Sequence, residues 1–354
     1  MKKSVAAFAV ASVSALVLAG CSTTPAPESG GDGVIQVVAS TNVYGSLAAQ
    51  IGGDRVDVTS IITSASQDPH SYEASARDRL TVQDADLVIE NGGGYDSFVD
   101  TLIGESDVHV FTAASFSHDF PGNEGHEDAA TDEHAEEGHA EEGHSEEEHS
   151  EGHSEEEHAA EEEGHDHAEE EGHEGHDHIE GFNEHVWFDP HTMIHVVEGM
   201  AEEFTELDPD GEADFTAAAA EIISDLEGFE AELETLGVDA GGASVFITES
   251  LPGYIAAAAG LTDVTPEGFA EAVEEGTDVS PATLLAALEV IEGGEVKALL
   301  TNAQTGGAET ERVEEAAEAA GIPVVAFTEL LEDGSSYSEW MRDAIQDLAA
   351  ALEK

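Results

Sequence analysis

Residues 34–62 read VIQVVASTNVYGSLAAQIGGDRVDVTSII, and this stretch sets the fold class. Residues 34–39 are a short apolar run, residues 43–51 carry apolar positions at helical spacing, and Val56–Ile62 is apolar and β-branched again. Strand, helix and strand in succession predict a βαβ unit with parallel strands. The same rhythm continues with 76–85 as helix, Leu87–Glu90 as strand, Gly92-Gly93-Gly94 as a turn, 96–102 as helix and 108–111 as strand.

A long insertion then interrupts this first domain. Thirteen of the eighteen histidines fall between His118 and His178, singly or as His-Asp-His among glutamates, and residues 121–181 contain no Lys or Arg. With almost nothing to bury, residues 118–180 predict a solvated, disordered loop. Ordinary solubilising runs mix Glu with Lys or Ser, whereas a His-rich acidic run points to metal ions. Neutral imidazole is the commonest side-chain ligand for zinc and similar ions, and the carboxylates add oxygen donors. His126, His134, His139, His144, His149, His153, His158, His165, His167, His173, His176 and His178 are expected to be weak accessory metal sites.

After the insertion, Pro190–Leu207 and residues 209–236 read as two helices, each opened by an Asp-Pro pair that supplies an N-cap and a proline at the first helical position. The second is long enough, at roughly 40 Å, to join two domains as a strut. Alternation then resumes: strands at 244–248, 296–301 and 322–327, and helices at 253–259, 281–291, 309–320 and Tyr337–Leu352. The expected architecture is α/β: two domains with parallel sheets flanked by helices, residues 34–189 and 237–354, joined by a rigid linking helix within 190–236.

The N-terminus addresses the chain. Lys2 and Lys3 precede an apolar stretch over residues 5–18 and then Leu18-Ala19-Gly20-Cys21, so residues 1–20 read as an export signal and 21–33 as a flexible tether. The ending resembles the lipobox of bacterial lipoproteins, which makes Cys21 the lipidated first residue of the mature chain. An anchor of that kind holds the protein at a membrane surface outside the cytoplasm. Cys21 is the only cysteine, so disulfides, thiolate metal sites and catalytic thiols are excluded. The formal charge of −71, against nine Lys and Arg, excludes nucleic acid as a partner.

Ligands of open parallel sheets sit beyond the carboxyl ends of strands, and four metal-capable side chains follow strands there. His70 lies in Asp68-Pro69-His70-Ser71-Tyr72-Glu73, where proline restricts how the imidazole is presented. His185 lies in Glu184-His185-Val186-Trp187-Phe188-Asp189-Pro190, just before a helix. Glu249 follows the 244–248 strand directly, and Glu329 stands two residues after Phe327. His191 and His195, one helical turn apart, are read as surface residues, and His109 stays unassigned. There is no HExxH, Gly-x-Ser-x-Gly, P-loop or GxGxxG after a strand.

These segments resemble the metal-binding lipoproteins that feed zinc or manganese to bacterial ABC importers. DPHSYE is similar to that family's first ligand motif and HVWFDP to its second. TESLPGYIAAAAGL is similar to the third, with Tyr254 and Gly260 at the family's aromatic and glycine positions. The fourth ligand is usually Asp there, and Glu329 in FTELL occupies its place. The resemblance implies a two-domain fold with His70, His185, Glu249 and Glu329 in the interdomain cleft, a membrane permease as partner, and a monomer. Two imidazoles and two carboxylates suit Zn2+, and Mn2+ if a carboxylate binds through both oxygens. The expected function is extracytoplasmic capture of zinc for import, without catalysis. The alternatives are manganese import, a cell-surface metal buffer or adhesin, and a zinc hydrolase, which needs an open metal position.

Overall fold

The computed structural model describes residues 33–353 except 65, 124–178, 180 and 333. The export signal, Cys21 and the twelve accessory histidines from His126 to His178 lie outside the described residues. The βαβ unit of residues 34–62 forms as β1 (Ile35–Thr41), α1 (Asn42–Gly52) and β2 (Val56–Ile62), with Ile35 opposite Val56 in parallel register. α2 (Ala76–Gln83), β3 (Leu87–Glu90), α3 (Phe98–Ile103) and β4 (His109–Thr112) complete a parallel sheet of order β2-β1-β3-β4.

α4 (Pro190–Leu207) and α5 (Glu212–Ala240) follow. The second lobe then runs β5 (Ser244–Ile247), α6 (Gly253–Ala258), β6 (Thr262–Asp263), α7 (Phe269–Glu274), α8 (Pro281–Glu292), β7 (Val296–Asn302), α9 (Ala308–Ala320), β8 (Val324–Phe327) and α10 (Tyr337–Leu352). Its sheet, order β6-β5-β7-β8, is also parallel. In each sheet the chain departs in opposite directions from a central strand, β1 or β5, which opens a crevice at the carboxyl ends of the strands.

α5 buries Phe215, Ala219, Ile222, Leu226, Phe229 and Leu233. That alternating spacing of four and three draws one apolar stripe along the helix. The stripe belongs to a single core cluster that runs from Ile35 and Leu47 in the first lobe, through Met193 and Phe204 on α4, to Leu300, Phe327 and Met341 in the second. Each large side chain buried there contributes on the order of 1.5–3 kcal/mol. Because the two lobes share this core, parting them exposes it. Asn42 adds a polar clasp: its amide nitrogen donates to the Leu331 carbonyl at 2.9 Å, and its amide oxygen accepts from the Leu331 N–H at 3.1 Å. No helix among the described residues is long and apolar enough to cross a membrane.

Several elements depart from the sequence reading for identifiable reasons. α5 runs on to Ala240 instead of ending at Leu236, because Gly237 lets the helix touch the Ala259 carbonyl. A Cβ there would stand 2.7 Å from that oxygen. Asp189 caps α4 as expected, accepting from the His191 N–H. Asp208 makes no cap bond; its carboxylate lies 2.7 Å from the Arg55 guanidinium, which also reaches Asp214 at 3.0 Å. β6 and α7 were not expected. β6 is two exposed edge residues, and α7 is a six-residue helix after a left-handed Gly268, both too short to set a period. Residues 118–123 form turns, with the Asn123 side chain donating to the Ser115 and Ser117 carbonyls, so the described chain extends past the start of the expected loop.

Candidate metal centre

Among the described residues, five of the eight strands direct a residue toward one locality. His70 follows β2 in a short 3-10 turn, Pro69–Ser71, held by Asp68. One Asp68 oxygen accepts from the His70 N–H at 2.9 Å and the other from the Ser71 hydroxyl at 2.7 Å. Tyr95 follows the turn after β3, where the buried Asp96 carboxylate accepts from the Asn91 and Gly92 N–H groups and Gly92 takes a positive φ of 75°. Glu249 follows β5, Thr305 follows β7, and Glu329 follows β8. His185 enters from the segment between the lobes.

His70, His185 and Glu329 each offer a ligand atom, and these lie within 4.8 Å of one another. The ring centroids of His70 and His185 are 6.1 Å apart, and Tyr95 stands edge-on to His70 at 4.9 Å. Glu329 is 2% exposed. Its two oxygens accept from the Tyr95 hydroxyl at 3.0 Å and from the Asn302 amide at 2.7 Å. Burial pushes its carboxyl up to about 7, with donation from Asn302 opposing and the Glu249 charge reinforcing the shift.

Glu249, 3% exposed, is not in that three-residue group. The Thr305 hydroxyl donates across both of its oxygens, at 2.6 and 2.7 Å. Burial raises its carboxyl as well, with donation from Thr305 opposing, and its charge raises that of Glu329. So the structure draws three of the four sequence-derived residues together and turns the fourth toward Thr305.

The orientation of His185 is fixed from behind. Asn183 donates its amide nitrogen to the Ser250 carbonyl at 3.0 Å, so its amide oxygen faces His185 Nδ1 at 2.9 Å. An acceptor at that position makes Nδ1 the protonated nitrogen and leaves Nε2 with the lone pair a metal requires. Sequence reading missed Tyr95, Asn183, Asn302 and Thr305. They carry no metal-ligand signature, and only the strand ends bring them to the ligands. His109 pairs with Glu203 at 2.8 Å, and His191 and His195, about 40% exposed, contact Glu230 and Glu198, both at 3.3 Å.

The donor set fits a divalent cation. Two imidazoles and a carboxylate are ligands for zinc, and a tetrahedron with bonds near 2.1 Å has edges of about 3.4 Å. Protons held by the raised carboxyls leave as metal arrives.

Two lobes with parallel sheets, a shared helical core and an imidazole-carboxylate group at the strand ends define a two-lobed α/β binding protein with a cation-sized site. More particularly, the chain belongs to the family described as zinc-uptake complex component A, periplasmic (ZnuA), whose profile matches residues 37–351. The family resemblance carried by DPHSYE, HVWFDP and TESLPGYIAAAAGL is thus borne out. The chain is similar to the manganese-binding lipoprotein MntA of Halalkalibacterium halodurans, 24% identical over 231 residues, covering 65% of this chain and 58% of that one. It is also similar to the zinc-binding lipoprotein AdcA of Streptococcus pneumoniae, 25% identical over 269 residues, covering 75% and 44%. The chain thus spans about half the length of these two relatives. The periplasmic zinc binding protein TroA of Treponema pallidum shares the fold, with a TM-score of 0.63 at 17% identity, covering 90% of this chain and 99% of that one.

Proposed function

We propose that this protein captures zinc outside the cytoplasm and hands it to a membrane ABC permease for import, held at the membrane by a lipid on Cys21. The observation that carries this reading is the convergence of His70, His185 and Glu329, drawn from both lobes and the segment between them. Glu249 is the fourth ligand once an ion draws it from Thr305. A site closed by four protein ligands holds metal and leaves no position at which to activate water, so the function is binding and release, not turnover. The shared core keeps the lobes together while the loops carrying His70 and Glu249 adjust to the ion. Those loops report loading to the permease.

Zinc is favoured over manganese by the His/Glu run, whose many weak sites collect borderline cations. Manganese is the second reading, supported by carboxylates Glu249 and Glu329 where further imidazoles would select zinc more strongly. It is also the metal named for MntA. The test is metal analysis of the full chain after competition with a chelator strong enough to empty weak sites. Wild type retains about one zinc, H70A/H185A retains none, and manganese does not displace the zinc. Tight zinc retained by H70A/H185A removes the cleft from the function.

A further inference from the structure

The Thr305 hydroxyl reaches the two oxygens of Glu249 at 2.6 and 2.7 Å. Near-equal reach, with hydrogen-bond geometry at both oxygens, puts the hydroxyl on the open side of the carboxylate, close to the line that bisects it. A cation held through both oxygens of a carboxylate takes that same position. Thr305 therefore stands where a chelated ion would sit.

The turn that carries this hydroxyl, between β7 and α9, is held at both ends. On the β7 side the buried Asn302 accepts from the Gln304 N–H at 2.9 Å through its side-chain oxygen. On the α9 side the buried Thr310 hydroxyl accepts from the Gly307 N–H at 2.8 Å and donates back to the Gly307 carbonyl at 2.9 Å. The Asn302 amide donates to Glu329 at 2.7 Å and also hydrogen-bonds the Glu249 carboxylate. One anchored turn thus arranges the oxygens of both glutamates.

Zinc and manganese differ in how many donors they require. One nitrogen from each of His70 and His185 and one oxygen from each of Glu249 and Glu329 make a tetrahedral set, which suits zinc. Manganese favours octahedral coordination rich in oxygen, and these four side chains approach it only when the carboxylates chelate. An ion that takes one Glu249 oxygen leaves the Thr305 hydroxyl on the other. An ion that takes both must displace it.

We propose that Thr305 is a specificity-determining residue, which keeps Glu249 to one oxygen on the ion and so selects zinc over manganese. The proposal rests on the reading of Glu249 as the fourth ligand. Part of the choice of metal then lies outside the ligands, in a hydroxyl that touches no ion.

Chelator competition on the full chain, with Zn2+ and Mn2+ as probes, tests it. The signal is the fluorescence of Trp187, whose ring centre is 5.1 Å from that of His185. T305V keeps the shape and drops the hydroxyl, so the ratio of manganese Kd to zinc Kd should fall at least about tenfold, the scale of one hydrogen bond to a charged group. T305S restores a hydroxyl and should restore most of the wild-type ratio. Crystals of zinc-loaded wild type should show one Glu249 oxygen on the ion and Thr305 still bonded to the other, and manganese-loaded T305V should show both oxygens on the ion. An unchanged ratio in T305V, or both Glu249 oxygens on zinc in wild type, overturns the role of Thr305. Wild-type zinc affinity in E249Q overturns instead the reading of Glu249 as a ligand.

Discussion

Replacing Glu329 by Gln should remove one proton from the pH dependence of metal binding. In the metal-free protein, burial and the neighbouring Glu249 charge push the Glu329 carboxyl up to about 7, above its ordinary 4.5. An incoming cation must displace that proton. At pH 6, one unit below this value, the displacement costs about 1.4 kcal/mol, a factor of ten in affinity; at pH 8 the carboxyl is mostly ionised and the cost is nearly gone. Glu329 therefore weakens binding about tenfold per unit as pH falls below 7. E329Q has no proton to displace. It also loses an anionic ligand, and its amide meets two donors, Tyr95 and Asn302, so its affinity should drop by more than the roughly 10–100-fold that follows loss of a supporting partner. The assay is chelator competition for zinc between pH 8 and pH 6, read by Trp187 fluorescence. The wild-type plot of log Kd against pH should be steeper than that of E329Q by about one between pH 7 and 6. Parallel plots would refute both the raised carboxyl and its place in the site.

Other consequences are open to direct measurement. T305V removes the hydroxyl that donates across both Glu249 oxygens, and chelator competition should show zinc affinity changed by about 10–100-fold; an unaltered Kd would detach Glu249 from the site. The Glu90 carboxyl is pushed up to about 7 by burial and by Asp96. Because that folded value lies above the unfolded one, the metal-free protein should lose stability as pH rises from about 4.5 to 7, by up to about 3 kcal/mol for this group. E90Q should abolish that loss and raise the melting temperature at pH 8 by a few degrees, while an equal shift at pH 4.5 would contradict the cause. G237A sets a methyl 2.7 Å from the Ala259 carbonyl and should cost about 1–3 kcal/mol in urea unfolding. L226A, in the shared core, should cost about 2–5 kcal/mol, and one cooperative transition is expected because both lobes use that core.

Much of this fold is legible in local sequence because its elements are periodic. Val56–Ile62, Leu87–Glu90, Pro190–Leu207 and Tyr337–Leu352 begin and end where their apolar spacing and caps place them. The misses are elements whose bounds depend on distant partners. α5 continues through Gly237 because Ala259 packs there, and the two-residue β6 exists only as a partner for β5. Asp208 resembles a helix cap in sequence, but Arg55, 153 positions away, takes its carboxylate.

The site divides in the same way. Sequence alone determined the α/β class and the acidic and His-rich character, and it offered His70, His185, Glu249 and Glu329 as candidates because they stand in segments that resemble the ligand motifs of a metal-binding family. Only the tertiary structure decided that His70, His185 and Glu329 meet within 4.8 Å while Glu249 faces Thr305. It also decided that Asn183 fixes the His185 tautomer. These are relations between residues up to 259 positions apart, as from His70 to Glu329. Two sheets packed on one helical core create them, and no local pattern encodes a distance across that core.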